Sequence, residues 1–146
     1  MFNKSYVTKD VEQIDVNSEY FPDLVYAGLE SHGSDLCGFV LKPQGKGPHP
    51  TVILLHGFPG YDDPIDLAHA LRRCGMNVLR FHYRGCWGVK GTYSFKHCME
   101  DVKSAIDYLT DEEVVKKFNI DIDNLFLVGH SMGGFLTLTH ACDKRI

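Results

Sequence analysis

A glycine-rich hexapeptide, Gly129-His130-Ser131-Met132-Gly133-Gly134, follows directly on the apolar run 124–128. The pattern Gly-x-Ser-x-Gly between a β-prone run and a helix-prone run predicts a sharp strand-to-helix turn that carries an exposed serine. Glycines flank the serine because such a turn leaves no room for Cβ atoms beside it. The Ser131 hydroxyl would then lie above a sheet, at a helix N-terminus where backbone N–H groups favour developing negative charge. This arrangement favours acyl transfer at Ser131, whereas a serine that merely tolerates a glycine-rich turn is the structural alternative.

Strand-like runs precede this turn. Two short β-prone runs, 24–28 and 36–41, are separated by turn-forming residues and predict an antiparallel hairpin. The continuous apolar run Thr51–Leu55 is typical of a strand that is covered on both faces. Met76–Tyr83 is a second apolar, strand-like run.

Helix signals lie between and after these strands. Asp62-Asp63-Pro64 offers an acidic cap followed by proline at the first helical position. Ser94 can cap a further helix with apolar residues at helical spacing up to Leu109. Asp111–Asn124 is a polar connection with one helical turn at Val114-Val115. The alternation predicts an α/β fold with a mostly parallel sheet, helices on both faces and an opening antiparallel hairpin.

Length and composition predict one domain. The 146 residues, 44% of them hydrophobic, are enough to bury a core, so we expect a single domain over residues 1–146. Residues 1–23 are polar and irregular, with Tyr6-Val7 and Val11–Val16 as the candidate extended pieces.

Several classes of protein are disfavoured by composition. The chain lacks an apolar run of about 18 residues and an apolar signal-peptide core near Met1, which favours a cytoplasmic protein without a membrane span. The formal charge of −4, with acids and bases interspersed, gives no reason to expect nucleic acid or a membrane surface as partner. The five cysteines are scattered without a C-x-x-C pair, which favours reduced thiols over disulfides or a zinc site.

Three motifs in a fixed order resemble one known family. They are His56-Gly57-Phe58 after the first long strand, Tyr83-Arg84-Gly85-x-x-Gly88 after the next, and the hexapeptide 129–134. The chain from Leu24 to Cys142 thereby resembles the N-terminal half of an α/β-hydrolase. It is most similar to dienelactone-hydrolase-like and prolyl-oligopeptidase-like serine hydrolases.

The resemblance implies a role for each matching residue. Ser131 would be the acyl-accepting nucleophile. The backbone N–H groups of Met132 and Phe58 would bind the oxyanion, and Gly57 would let the backbone come close. The substrate would be a small molecule with an ester, thioester or peptide-like acyl bond. Neither a metal nor an organic cofactor is required for this chemistry.

In this family the catalytic acid and histidine follow the serine in sequence, so the resemblance implies that neither lies within these 146 residues. Because loss of a triad member costs several orders of magnitude in turnover, we expect this chain alone to be inactive. A sheet that ends after its central strand would expose an edge, which favours self-association or a complementing fragment. The alternative function is therefore a noncatalytic, truncated hydrolase-like scaffold or one half of a split enzyme.

Other polar and aromatic residues near these motifs have structural explanations. His56 more often supports an oxyanion loop than transfers a proton, and His130 points away from the serine in such a turn. His82 and His140 are expected to be satisfied structural histidines. Two aromatic residues in the glycine-rich loop, Trp87 and Tyr93, either line an acyl pocket or pack the loop itself.

Overall fold

The computed structural model describes residues 7, 18–58 and 64–146. Within them the strands are β1 (Asp23–Tyr26), β2 (Glu30–Ser31), β3 (Ser34–Asp35), β4 (Phe39–Lys42), β5 (His49–Leu55), β6 (Asn77–Arg80) and β7 (Ile120–Gly129). The helices are α1 (Ile65–Arg73), α2 (Phe95–Leu109), α3 (Glu112–Phe118) and α4 (Met132–His140). The predicted strands at 51–55 and 76–83 correspond to β5 and β6, and the predicted helices to α1 and α2.

The main sheet has five strands in the order β1-β4-β6-β5-β7. Strand β5 pairs in parallel with both β6 and β7, while β4 is antiparallel to β6. The predicted opening hairpin is confirmed, since β1 and β4 pair antiparallel with Leu24 opposite Leu41. The segment that connects β1 to β4 contains a second hairpin, in which the two-residue strands β2 and β3 pair antiparallel. The sequence pattern did not indicate this hairpin.

Alternating residues of β5 point to opposite faces of the sheet, and both faces are covered. Ile53 and Leu55 belong to the larger core, which α2 and α4 complete. Leu54 belongs to a smaller core on the other face, where Ala68 of α1 is fully buried. Burying side chains on both faces is what a continuous apolar strand requires. The predicted α/β architecture with helices on both faces is confirmed.

The predicted polar connection at 111–124 is partly wrong. The Asp111 side chain caps α3 by accepting hydrogen bonds from two backbone N–H groups, and the helix ends at Asn119 with φ of 50°. Strand β7 then begins at Ile120, whose position faces His49 in the register. The register with β5 then shifts from Ile120 to Leu125, so the polar residues Asp121, Asp123 and Asn124 lie in an irregularity of this edge strand and need no partner there.

Two predictions fall on residues outside the described part of the chain. The acidic cap Asp62-Asp63 is not among the described residues, and α1 has Pro64 as its N-cap without a side-chain hydrogen bond. Most of the irregular segment 1–23 is likewise outside, and β1 begins at Asp23. Among the helices of the described residues, none combines the length and the apolar character that crossing a bilayer requires.

A buried ion pair fixes the loop between β6 and α2. The Arg84 backbone N–H and Nε donate to the two carboxylate oxygens of Asp101 at 2.8 and 2.6 Å. Arg84 also bonds Glu100 and the backbone carbonyl of His97. Asp101 is fully buried and Arg84 is 7% exposed, so the pair compensates charges that would otherwise be costly to bury. The start of this loop is thereby attached to α2.

Helix α4 lies against the backbone of β5 without intervening side chains. A Cβ added at Gly133 would lie 2.1 Å from the carbonyl oxygen of Leu55, and one added at Gly129 would lie 2.2 Å from that of Gly133. By contrast, a Cβ at Gly134 would meet its nearest atom at 3.5 Å, an ordinary contact. The first turn of α4 therefore needs glycine at 129 and 133 for steric reasons.

We predict opposite effects for two neighbouring glycine substitutions. Gly133→Ala should lower the free energy of unfolding by at least about 3 kcal/mol, because the methyl group would meet rigid backbone. Gly134→Ala, the matched control, should be neutral or stabilise by up to about 1 kcal/mol through helix propensity. Urea denaturation of both variants checks this, and equal stabilities would contradict the close approach of α4 to β5.

Candidate active site

Ser131 lies at the corner between β7 and α4. Its φ of 55° and ψ of −118° place it in a region that L-residues rarely occupy, at the N-cap of α4. The residue is exposed, and among the described residues its hydroxyl has no hydrogen-bond partner. The backbone around it is held by His130 N–H, which donates to Leu55 O at 3.3 Å, and by Gly133 N–H, which donates to His130 O at 2.9 Å. The strained corner predicted from the glycine pattern is present.

The loop after β5 lies directly beside this corner. A Cβ added at Gly57 would lie 3.1 Å from the Ser131 Cβ and 3.6 Å from its Oγ, so the two backbones approach as closely as glycine allows. Phe58 follows Gly57 and is 58% exposed, whereas Met132 is only 8% exposed. Within the described residues, the N–H of Phe58, in the loop after β5, donates to no backbone acceptor. The N–H of Met132, at the start of α4, donates to no backbone acceptor outside this helix. The structure thus brings the segments of Ser131, Met132 and Phe58 together at one end of the sheet.

His56 is buried under the Gly57 loop. Its Nδ1 donates to the carbonyl of Gly57 at 2.8 Å, and Tyr83 Oη donates to the His56 carbonyl at 3.1 Å. With Nδ1 as the donor, the Nε2 atom is buried without a partner among the described residues. Burial lowers the pKa of His56, despite its hydrogen bond to Gly57, and nearby Arg80 lowers it further. The expectation that His56 supports the loop is confirmed.

His82 follows β6 and lies against His56. The two ring centroids are 5.4 Å apart in an edge-on arrangement, and Trp87 lies on the other side of His82 at 6.2 Å. The Nδ1 atom of His82 is buried without a partner among the described residues. Burial, His56 and Arg80 together lower the pKa of His82 to about 4. The pair is therefore neutral at pH 7, and His82 is less well satisfied than a structural histidine was expected to be.

All eight histidines are among the described residues, and none of them hydrogen bonds to Ser131 Oγ. His140 connects α4 to α2, since its Nε2 lies 3.1 Å from the carbonyl of Met99. His49 is held between two backbone carbonyls. His130 is exposed beside the serine, and its backbone N–H and carbonyl hydrogen bond to Leu55 and Gly133. The structural role expected for His140 agrees with its contact to Met99.

Tyr93 also belongs to this site. The sequence left open whether it lines an acyl pocket or packs its own loop. Its ring stacks on Phe58 with centroids 4.9 Å apart, and its hydroxyl donates to Met132 Sδ at 2.8 Å. Trp87 is 46% exposed and contacts His82 instead. The contacts of Tyr93 with Phe58 and Met132 span 35 and 39 positions in sequence, so no local pattern could indicate them.

The described residues contain no cluster of three or more histidine, cysteine or carboxylate side chains that could hold a metal ion. The polar groups of the site are a hydroxyl, backbone amides and neutral imidazoles. These groups can perform nucleophilic attack and stabilise an oxyanion.

We predict a pH dependence of stability that depends on His82. Its pKa is 6.5 when unperturbed and about 4 in the fold, so the unfolded chain binds more protons between these values. Stability should therefore be fully present above pH 6.5 and be lost progressively as the pH falls towards 4. In His82→Gln this part of the loss should be absent.

The measurement is urea denaturation of the parent chain and His82→Gln at intervals across that range. His69→Gln, a substitution on the exposed surface of α1, controls for the change in charge. A stability difference between parent and His82→Gln that stays constant with pH would refute the buried neutral state of His82.

Comparison with known proteins shows the family of the chain. A profile of the Alpha/beta hydrolase family matches residues 52–146. Esterase EstD from Thermotoga maritima is 30% identical over 114 residues, which cover 70% of this chain and 26% of that protein. The chain spans less than half the length of the curated relatives that it matches.

Solved structures share the fold. An alpha-beta serine hydrolase homologue from Coxiella burnetii superimposes with a TM-score of 0.63 at 22% identity, covering 84% of this chain and 57% of that one. Est1E from Butyrivibrio proteoclasticus, solved with ferulic acid bound, gives a TM-score of 0.67 at 20% identity, covering 80% of this chain and 47% of that one. With the family profile, the shared fold and the strained serine corner all in agreement, the chain belongs to the α/β-hydrolase family.

Proposed function

We propose that this chain provides the nucleophile and the oxyanion-binding amides of a serine hydrolase. The substrate class is a small molecule with a carboxylic ester, thioester or peptide-like acyl bond. The single observation that carries the proposal is the geometry of Ser131, an exposed hydroxyl without a hydrogen-bond partner in the described part of the chain, on a backbone with φ of 55°. A strained conformation of this kind persists only where the surrounding structure imposes it, and such positions cluster at functional sites.

The reaction begins with attack of Ser131 Oγ on the acyl carbon. An Oγ–C bond forms, the carbonyl electron pair moves onto oxygen, and the serine proton passes to a base. Collapse of this intermediate expels the alcohol, thiol or amine, which takes up the proton, and leaves an acyl group on Ser131. Water then attacks the acyl carbon and gives a proton to the base, the Oγ–C bond breaks to release the carboxylic acid, and the proton returns to Ser131 Oγ.

The negative charge of the intermediate would be bound by the N–H groups of Met132 and Phe58. Support comes from the close approach of Gly57 to Ser131 and from the absence of internal acceptors for these two amides among the described residues. Met132 also begins α4, whose N-terminus carries a partial positive charge. Donors that are fixed before the charge develops contribute the largest share of such catalysis.

We infer that the general base is not one of the histidines of this chain. Each of the eight lacks a hydrogen bond to Ser131 Oγ, and His56 and His140 are engaged with backbone carbonyls. We therefore propose that the base and its carboxylate come from another segment, in the same protein or in a partner. The partial coverage of the relatives supports this proposal.

Ester hydrolysis is favoured by one comparison. The Thermotoga maritima relative is an esterase, although the aligned part is 26% of its length. The choice between an ester, a thioester and a peptide-like bond depends on groups beyond the nucleophile and its oxyanion site.

Covalent labelling with an alkyl fluorophosphonate tests the proposal. We expect slow modification of this chain at a single site, located on Ser131 by mass spectrometry of the digest, and no adduct at that position in Ser131→Ala. The same reaction should be run on the longest open reading frame that contains this sequence, where the base is expected and labelling should be faster.

Ser104→Ala is the matched control, because it removes a partly buried serine hydroxyl of α2 that bonds Ser31 and the Glu100 carbonyl. This variant should label at the parent rate. If neither the chain nor the longer protein is modified at Ser131, the noncatalytic scaffold becomes the better account.

A further inference from the structure

We propose that Tyr93 is a positioning residue that holds the amides of Phe58 and Met132 at a fixed separation. The inference rests on the proposed function, because it concerns the two groups assigned to the oxyanion. It goes further in naming a third residue, from a different loop, on which their geometry depends.

Tyr93 contacts both oxyanion-binding residues through different parts of its side chain. The ring stacks on the Phe58 ring at 4.9 Å with an angle of 25° between the planes. The hydroxyl donates to Met132 Sδ at 2.8 Å. Phe58 follows β5 and Met132 follows β7, so one side chain connects two segments that are distant in sequence.

The backbone of Tyr93 is itself held in place. Gly85 has φ of 77°, and a Cβ added there would lie 2.3 Å from Tyr93 N, so the two ends of the loop are in contact. His97 Nδ1 donates to the carbonyl of Thr92 at 2.5 Å, and Ser94 caps α2 through the His97 N–H. Tyr93 is therefore fixed to the N-terminus of α2 and can act as a rigid support.

The hydroxyl keeps its proton across the range in which the site would operate. Burial raises the pKa of Tyr93 to about 12, and the nearby thiols of Cys98 and Cys86 contribute in the same direction. The phenol is thus a donor to Met132 Sδ at any ordinary pH. A thioether is a weak acceptor, so this contact serves position more than stability.

Position matters here because oxyanion donors act over a narrow distance of about 2.7–3.1 Å. Phe58 is 58% exposed, and the Tyr93 ring covers one of its faces. Without the stack, the residue that carries one amide would be free to turn away from Ser131. A misplacement of about 1 Å can cost about a hundredfold in rate.

The test compares substitutions that remove one or both contacts. Tyr93→Phe keeps the stack and removes the hydroxyl, Met132→Leu removes the acceptor, and Tyr93→Leu removes both contacts. Tyr26→Phe is the matched control, because Tyr26 also has an aromatic neighbour, Phe39, and a hydroxyl bonded to a side chain, that of Asp35, far from this site.

Two readouts separate this inference from the proposed function. The first is ¹⁵N relaxation of the Phe58 and Met132 amides, which needs no activity. The second is the rate of Ser131 modification by a fluorophosphonate. In Tyr93→Phe we expect added mobility of the Met132 amide and labelling of Ser131 that is slower by about tenfold. In Tyr93→Leu we expect added mobility of both amides and labelling that is slower by about a hundredfold. Tyr93→Phe and Met132→Leu should be non-additive, since each removes the same contact.

Each outcome decides one proposal. If Ser131 is never modified but the two amides respond to Tyr93, the proposed function fails and the positioning role stands. If Ser131 is modified, and the Tyr93 variants match Tyr26→Phe in the mobility of both amides and in the labelling rate, the positioning role is wrong and the function stands. A fall in melting temperature without a change at the two amides would make Tyr93 merely structural. Should Tyr93→Leu not fold, Tyr93→Phe and Met132→Leu give the decision.

Discussion

The contact between the first turn of α4 and the last residues of β5 is the constraint on which the site depends. Gly133 lies so close to the Leu55 carbonyl that no side chain fits between them, and Gly129 lies equally close to Gly133. This contact brings the chain from β7 into α4 within two residues, His130 and Ser131, and Ser131 takes the positive φ. It also places Gly57 beside Ser131, since Gly57 lies two residues after the end of β5. The close packing that requires glycine at positions 129 and 133 therefore fixes the position of the Ser131 hydroxyl.

A second set of contacts brings the loop after β6 to the same place. The buried Arg84–Asp101 pair attaches the start of that loop to α2, and the Ser94 cap attaches its end. Between these points Tyr93 extends towards Phe58 and Met132. Buried His56 and half-buried His82 lie beneath, just after the ends of the neighbouring parallel strands β5 and β6. Three strand ends, those of β5, β6 and β7, therefore contribute to one surface, as parallel strands allow.

Much of this arrangement could be predicted from sequence, and the exceptions have physical causes. The continuous apolar run of β5, the Ser94 cap of α2 and the glycine pattern at Ser131 are local signals, and the structure contains each element. The start of β7 at Ile120 was missed because its polar residues occupy exposed positions on an edge strand. The contacts of Tyr93 and of the His56–His82 pair join residues 26 to 39 positions apart, and only the folded sheet brings them together.

The most direct measurement is a crystal structure of the chain with Ser131 phosphonylated, because the phosphonyl oxygen occupies the position of the oxyanion. Our account predicts that this oxygen accepts hydrogen bonds from the N–H groups of both Phe58 and Met132, at about 2.7–3.1 Å. An adduct whose oxygen points into solvent, with either amide turned away from it, would contradict the account.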